Sequence, residues 1–391
     1  MPITGLTVRG ILDSRGQPTV EADLRLDGAV GRGSCAVAIK PGRLERRRRL
    51  HTGALGDLTG GPAGRLLQRE LAGLEPAGQQ EVDGRLRELD DEHGLGADVT
   101  LAVSLAYARA ASSAADLPLS RWMAAEAAGR RLTSPRLLVS AFSGGIHHGG
   151  IPGSFQQIML IPHGGDLVAD IHAALAVYGV LERETGARSL SASSGLLAPD
   201  RTSEWQLGML CRAAANAPAV IGLDVAAEHL ATGSGSYRFE GREYSSVAFA
   251  DLLLNLASEY HIEYIEDPFD PADTGAWEAF LPAARAAGVT VVGDDLFATD
   301  AARVRPGLAD AVLLKLSQAG TLTATVAAAN RARALGLGLV VSHRSGETED
   351  TAMCDLAMAV GAEFIKVGGP RRGDRIAKYN QLLRLAEAGI G

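Results

Sequence analysis

Ser342-His343-Arg344-Ser345-Gly346-Glu347-Thr348-Glu349-Asp350 follows directly on the apolar run Gly336-Leu337-Gly338-Leu339-Val340-Val341. A buried strand therefore ends abruptly in a knot of polar and charged groups. A (β/α)8 barrel builds its site in this way, from side chains at the C-terminal ends of its strands. Working outward, the same punctuation recurs at Asp224, Glu266, Asp294, Lys315 and Lys366, each closing a short apolar run. Together these residues predict a carboxylate cluster with two lysines beside it.

The rest of the chain is organised around those runs. Residues 3 to 39 read as a three-stranded meander, Ile3–Leu12, Thr19–Leu26 and Val30–Ile39, punctuated by Ser14-Arg15-Gly16 and Asp27-Gly28. Helical stretches follow, including the alanine-rich Ala97–Ala115, and a boundary falls near Arg130–Pro135. From Leu137 onward, short apolar runs alternate with amphipathic helices. The predicted strands are Ala219–Leu223, Ile262–Ile265, Val289–Val292, Ala311–Leu314, Leu337–Val341 and Glu363–Ile365; Leu322–Leu335 and Asp350–Val360 are predicted helices. The expected fold is α/β: a small α+β domain over residues 1–132 and a (β/α)8-like barrel over residues 133–391.

With 391 residues the chain has room for both. It is 46% hydrophobic and 21% charged, an ordinary globular composition, and its net charge of −8 argues against a general nucleic-acid surface. Three cysteines without a CxxC pair suit reduced thiols. The start lacks the basic region and apolar core of a signal peptide, and no apolar run reaches the roughly 20 residues that span a bilayer. The expectation is a cytoplasmic protein with no membrane partner.

Asp224, Glu266 and Asp294 end three successive strands, so their carboxylates should converge at the barrel mouth. An all-oxygen set suits a hard cation, Mg2+ above all. Helix capping is the bland reading of any one such acid, but three in consecutive units favour metal. Asp267 and Asp295, which follow two of them, read as supporting or capping groups. Lys315 closes Ala311-Val312-Leu313-Leu314, where burial and a neighbouring cation are expected to lower its pKa and make it a general base. Lys366 is placed to neutralise a substrate carboxylate. His343, Arg344 and Ser345 offer a guanidinium fork and short donors for a phosphate or phosphonate.

The motifs resemble the enolase family over nearly the whole chain. Asp13-Ser14-Arg15-Gly16-Gln17-Pro18-Thr19-Val20-Glu21 is similar to the family's N-terminal signature. Ile265-Glu266-Asp267-Pro268-Phe269, Gly293-Asp294-Asp295-Leu296, Ser342–Asp350 and the tail Lys378-Tyr379-Asn380-Gln381-Leu382-Leu383-Arg384 are close to verbatim. The resemblance implies that Asp224, Glu266 and Asp294 hold Mg2+ and that Lys315 removes the C2 proton of 2-phosphoglycerate. It also implies that Arg344 and Ser345 contact phosphate, that Lys366 holds the carboxylate, and that His147, or its neighbour His148, is a mobile-loop histidine. A homodimer is a further family expectation.

Three departures set this chain apart. Where the family has a Gln-Glu-Phe-Met segment, Gln156-Gln157-Ile158-Met159 puts Gln157 in place of the glutamate. Where the family has Gly-Asp-Glu-Gly-Gly, Ala192-Ser193-Ser194-Gly195-Leu196-Leu197 puts Ser194 in place of a second one. The Ser-Gly-Ala-Ser-Thr-Gly lid is replaced by Ala38-Ile39-Lys40-Pro41-Gly42-Arg43, followed by Arg46, Arg47, Arg48 and Arg49. Hydroxide is a poor leaving group, and general acid–base help is worth about 100- to 10,000-fold. Losing both carboxylates predicts weak water elimination. The basic segment reads either as a solvated face or as a clamp for a second anion, with Lys40 and Arg43 as its binding residues.

These features together suggest a resemblance to carboxyphosphonoenolpyruvate synthases of phosphonate antibiotic biosynthesis. That implies a nucleotide-activated phosphonoformate donor beside a small anionic acceptor such as 2-phosphoglycerate or phosphoenolpyruvate, with Gln157, Ser194 and His147 as catalytic candidates beside Lys315. Two alternatives remain open here. One is a phosphopyruvate hydratase with displaced acids, Glu182 or Glu184; the other is a silent paralogue acting as a binding protein. An acid-sugar dehydratase is disfavoured by the Ser342–Asp350 signature.

Overall fold

The computed structural model describes residues 1–39, 42–46, 55–127, 129, 131–145, 153–233, 235–389. The first part of the chain forms a sheet of β1 (Ile3–Leu12), β2 (Pro18–Leu26), β3 (Ala29–Ser34) and β4 (Gly56–Asp57), in the order β3-β2-β1-β4 with antiparallel pairings. Helices α1 (Pro62–Leu71), α2 (Gln79–His93), α3 (Ala97–Ala114) and α4 (Leu119–Glu126) follow. Alternation decides the sheet's faces, because i and i+2 share a side. Val20, Ala22, Leu24 and Leu26 point inward and pack on Leu67, Leu86 and Val103.

The third strand stops at Ser34, earlier than the expected Ile39, because the segment beyond it turns to the barrel. There Val37 exchanges backbone hydrogen bonds with Gly346, at 2.6 and 2.7 Å.

The barrel begins with β5 (Arg136–Ser143) and β6 (Gln157–Pro162), followed by α5 (Leu167–Thr185), β7 (Leu196–Leu197), α6 (Ser203–Ala214) and β8 (Ala219–Asp224). A small sheet of β9 (Ala231–Gly233), β10 (Ser236–Phe239) and β11 (Arg242–Ser245) leads into α7 (Ser246–Tyr260). Then come β12 (Ile262–Glu266), α8 (Thr274–Ala286), β13 (Thr290–Gly293), β14 (Ala311–Leu314), α9 (Leu316–Ala319) and α10 (Leu322–Ala334). The chain closes with β15 (Gly338–Ser342), α11 (Ala352–Ala359), β16 (Phe364–Lys366) and α12 (Gly373–Glu387). Pairing of β16 with β5 closes an eight-stranded α/β barrel of β5, β6, β8 and β12 to β16.

The simple βα alternation expected from Leu137 fails at its start. Strand β6 is antiparallel to both β5 and β8, and two helices precede β8. Apolar runs carry no direction, so periodicity alone leaves strand polarity open. The six later strands match expectation to within one residue at each end. Several run one residue further, so that Asp224, Glu266 and Lys366 are the last residues of their strands.

Leu138, Met159, Tyr264, Val292, Leu313, Val340 and Phe364 form a separate apolar cluster, supplied by seven of the eight barrel strands. Their neighbours two positions on, toward the mouth, are Ser140, Glu266, Asp294, Lys315, Ser342 and Lys366, and Gln157 lies two positions back on the reversed strand. The functional side chains are thus the top layer of the barrel interior, set by the two-residue strand period on an apolar plug. No described helix is long and apolar enough to cross a membrane.

Candidate active site

The Ser342–Asp350 loop is the structural hub. Lys378 is buried and reaches Glu347 at 2.7 Å and the Thr348 carbonyl at 2.6 Å. Arg375 donates to the Ala192 and Ser345 carbonyls, and Tyr379 to that of Gly368. From the other end of the chain, Ser14 accepts from the Glu347 amide and donates its own amide to the Glu347 carbonyl. The N-terminal signature and the tail motif therefore meet on this loop and hold its shape; they do not face the cavity.

A partly open cavity at the barrel mouth is lined by Gln156, Gln157, Ser193, Asp224, Asp294, Asp295, Lys315, His343, Arg344, Ser345 and Lys366, together with Ala38, Glu45, His229 and Ser342. Register explains the carboxylates. Glu266 pairs with Asp224 across β12 and β8 and with Val292 of β13, two residues before Asp294. Lys366 bridges Asp224 at 2.7 Å and Glu266 at 2.8 and 2.9 Å. Lys315 is paired with Asp294, and Gln318 donates to the other oxygen of Asp294 at 3.0 Å. Gln156 donates to Asp224 at 3.0 Å. Tyr264 donates to Glu266 at 3.1 Å, packed against Gly222, where a Cβ would stand 3.3 Å from its ring.

Electrostatics show how crowded the site is. Burial and the Asp224 charge push Glu266 up to about 7, and burial with Asp294 pushes Asp295 up to about 8. Such mutual repulsion among buried acids is what a divalent cation offsets, and the donors are hard oxygens, so the residues fit Mg2+. Among the described residues, Asp267, Asp294 and Asp295 offer carboxylate oxygens that all lie within 4.8 Å of one another. Asp267, however, accepts the backbone amides of Asp294 and Asp295, both at 2.9 Å, which marks it as a loop support.

Several expectations change here. Burial alone lowers the Lys315 pKa, but Asp294 opposes it and prevails, so the ammonium is raised, not lowered as expected. Lys366 is likewise disfavoured by burial yet raised by Asp224 and Glu266. His343 is pushed down by burial and by Arg375 and Lys366, which keeps it neutral. Ser194 has φ +61 and donates to the Arg371 carbonyl at 2.9 Å, so that Ser193 lines the cavity in its place. Gln157 accepts from Ser140. Ser345 accepts the Ile39 amide at 2.8 Å.

Glu182 is taken by Arg371 at 2.6 Å and Glu184 is exposed; neither lines the cavity, which corrects both as displaced acids. Arg43 turns away from the site, to Glu228 at 2.6 Å and Asp270 at 3.0 Å, and Arg46 pairs with Asp90 and Asp91. These two arginines anchor the segment to protein carboxylates and do not form the expected clamp. Lys40, Arg47, Arg48, Arg49, His147 and His148 lie outside the described residues.

Sequence reasoning missed Glu45, Gln156 and Gln318. A single acid inside a run of arginines was the available signal for Glu45.

Comparison with known proteins agrees with this geometry. Residues 3–123 match the family model described as the enolase N-terminal domain, and residues 133–390 the one described as the enolase C-terminal TIM barrel domain. A protein named enolase from Methanopyrus kandleri is 37% identical, with 98% of this chain and 95% of the relative covered. Enolases from Pyrococcus furiosus and Tropheryma whipplei are 36% and 37% identical, again over 98% of this chain. These relatives overturn the carboxyphosphonoenolpyruvate synthase reading, and with it the phosphonate antibiotic context. Near-complete coverage by both family models, on a barrel whose mouth carries these carboxylates and lysines, leads to one statement: the chain belongs to the enolase family.

Proposed function

We propose that this chain is a Mg2+-dependent phosphopyruvate hydratase that converts 2-phosphoglycerate to phosphoenolpyruvate and water. The observation that carries the proposal is one cavity at the barrel mouth lined by a lysine on Asp294, a second lysine bound to Asp224 and Glu266, and an arginine. Asp224, Glu266 and Asp294 would hold the cation. When bound, Mg2+ supplies positive charge beside the substrate carboxylate and offsets the negative potential that keeps Lys315 protonated.

In this reading Lys315 Nζ takes the C2 proton, and the electron pair moves into the carboxylate, which Lys366 helps neutralise. Arg344 holds the phosphate by charge-assisted hydrogen bonds. The electron pair then returns to form the C2–C3 double bond as the C3–O bond breaks, and the departing hydroxide takes a proton from solvent water while Lys315 releases its own proton to solvent. Gln157 can donate a hydrogen bond to that oxygen but has no proton to give up, so elimination is expected to lag behind C2 deprotonation. A homodimer belongs to the same proposal and is read by light scattering.

The test is to incubate the protein with 2-phosphoglycerate and Mg2+ in D2O. Exchange at C2 should outpace formation of phosphoenolpyruvate, and Lys315→Ala should reduce both by about 1,000-fold or more. Absence of both reactions in the unaltered protein overturns the proposal.

A further inference from the structure

Glu45 stands alone among arginines, yet its side chain is only 6% exposed and meets an equally buried Arg344. The contact is end-on. Both Glu45 oxygens accept from the same nitrogen, Nη2, each at 2.8 Å. Arg344 Nη1 is buried and has no hydrogen-bond partner among the described residues. Arginines frequently meet carboxylates fork to fork, through two nitrogens, as Arg109 meets Asp350. Here one nitrogen is committed to Glu45 while another has no protein partner among the described residues, on a side chain that lines the cavity with Lys315 and Asp294.

The carboxylate is itself fixed. Glu45 accepts the Gly42 amide at 3.0 Å and the Gln318 side chain at 3.4 Å, and Gln318 also donates to Asp294. Arg43 and Arg46, on either side, tie the segment to Glu228 and Asp270 of the barrel and to Asp90 and Asp91 of the first domain. The Arg344 amide is held in turn by Glu347, at 2.9 Å. Both partners are thus held by other parts of the protein, and Nη1 is the nitrogen left without a partner among the described residues.

We propose that Glu45 is a positioning residue, which holds Arg344 by Nη2 so that Nη1 is presented to an anionic oxygen of the substrate. The arginine-rich segment then works through its lone acid: Arg43 and Arg46 anchor it, and Glu45 aims the clamp. The inference rests on the phosphorylated substrate proposed above. It also differs from the view of Glu45 as a stand-in for the substrate anion, because a competitor would occupy Nη1 as well.

The test measures inorganic phosphate binding calorimetrically in the presence of Mg2+, for the unaltered protein, Glu45→Gln and Glu45→Asp, after thermal melts confirm that each is folded. Glu45→Gln should weaken phosphate binding about tenfold and raise KM for 2-phosphoglycerate by a similar factor, with kcat changed much less. Glu45→Asp keeps the charge and should recover part of the loss. Unchanged or tighter phosphate binding by Glu45→Gln overturns the proposal, and tighter binding identifies Glu45 as a competitor. No phosphate binding by the unaltered protein removes the clamp and the proposal together. If phosphate binds but no phosphoenolpyruvate forms, the hydratase reading fails while the Glu45 comparison still stands.

Discussion

Gln157 sits in the barrel interior directly across β6 and β8 from Asp224, and its amide oxygen accepts from Ser140. An amide orients a leaving group but cannot protonate it. Replacing it with the isosteric acid, Gln157→Glu, puts a carboxyl in a buried site beside a carboxylate, and both influences raise its pKa. The variant is expected to form phosphoenolpyruvate about 100-fold faster, with a falling limb at alkaline pH where the new acid ionises. Absorbance assays of kcat across pH check this, and an unchanged kcat would show that proton supply at this position does not limit the reaction. At the same scale, the Lys315 and Glu45 substitutions separate the base from the residue that aims the clamp.

Among the elements, the tightest packing lies between β3 and α3. Gly31 and Gly33 alternate with Val30 and Arg32, and both glycines face the helix. A Cβ on Gly33 would stand 2.6 Å from the Ala106 nitrogen and 2.7 Å from the Leu105 Cβ. Backbone atoms cannot swing aside as side-chain tips do, so the helix would have to lift. Alanine-rich composition on α3 and glycine on β3 are two halves of one close approach. Gly33→Ala is expected to cost about 3 kcal/mol, through overpacking, read from the urea midpoint. A neutral result would mean that α3 shifts without loss.

At the scale of the whole molecule, the first domain and the barrel are joined through the Ser342–Asp350 loop. Arg109 of α3 grips Asp350 with two nitrogens, both at 2.7 Å, while Ser34 meets Thr348 at 2.7 Å. Burial works against the Asp350 charge, but Arg109 prevails and holds the carboxyl below its ordinary value. A depressed carboxylate contributes stability above its unfolded pKa, about 3.9, and loses it as pH falls through the folded value. Arg109→Ala leaves a buried acid without its partner and should cost about 3 kcal/mol at neutral pH. Its deficit relative to the unaltered protein should shrink as pH falls below about 4, as Asp350 takes up a proton first in the unfolded chain and then, through its lower folded value, in the native protein. Urea unfolding at several pH values checks this; a deficit constant with pH would assign the loss to packing alone.

The sequence by itself determined the barrel, most of its strand ends, and the acids and lysines at those ends. These follow from a two-residue period and an abrupt change of polarity, both legible among immediate neighbours. It also carried the family, because its motifs are long. Only the tertiary structure decided that β6 runs backward, that Ser194 turns to the Arg371 carbonyl and leaves Ser193 on the wall, and that Arg43 anchors while Glu45 faces the site. The Glu45–Arg344 contact joins residues 299 positions apart. No local pattern encodes such a pairing, since it depends on the path of the folded chain and on which charges burial leaves without water.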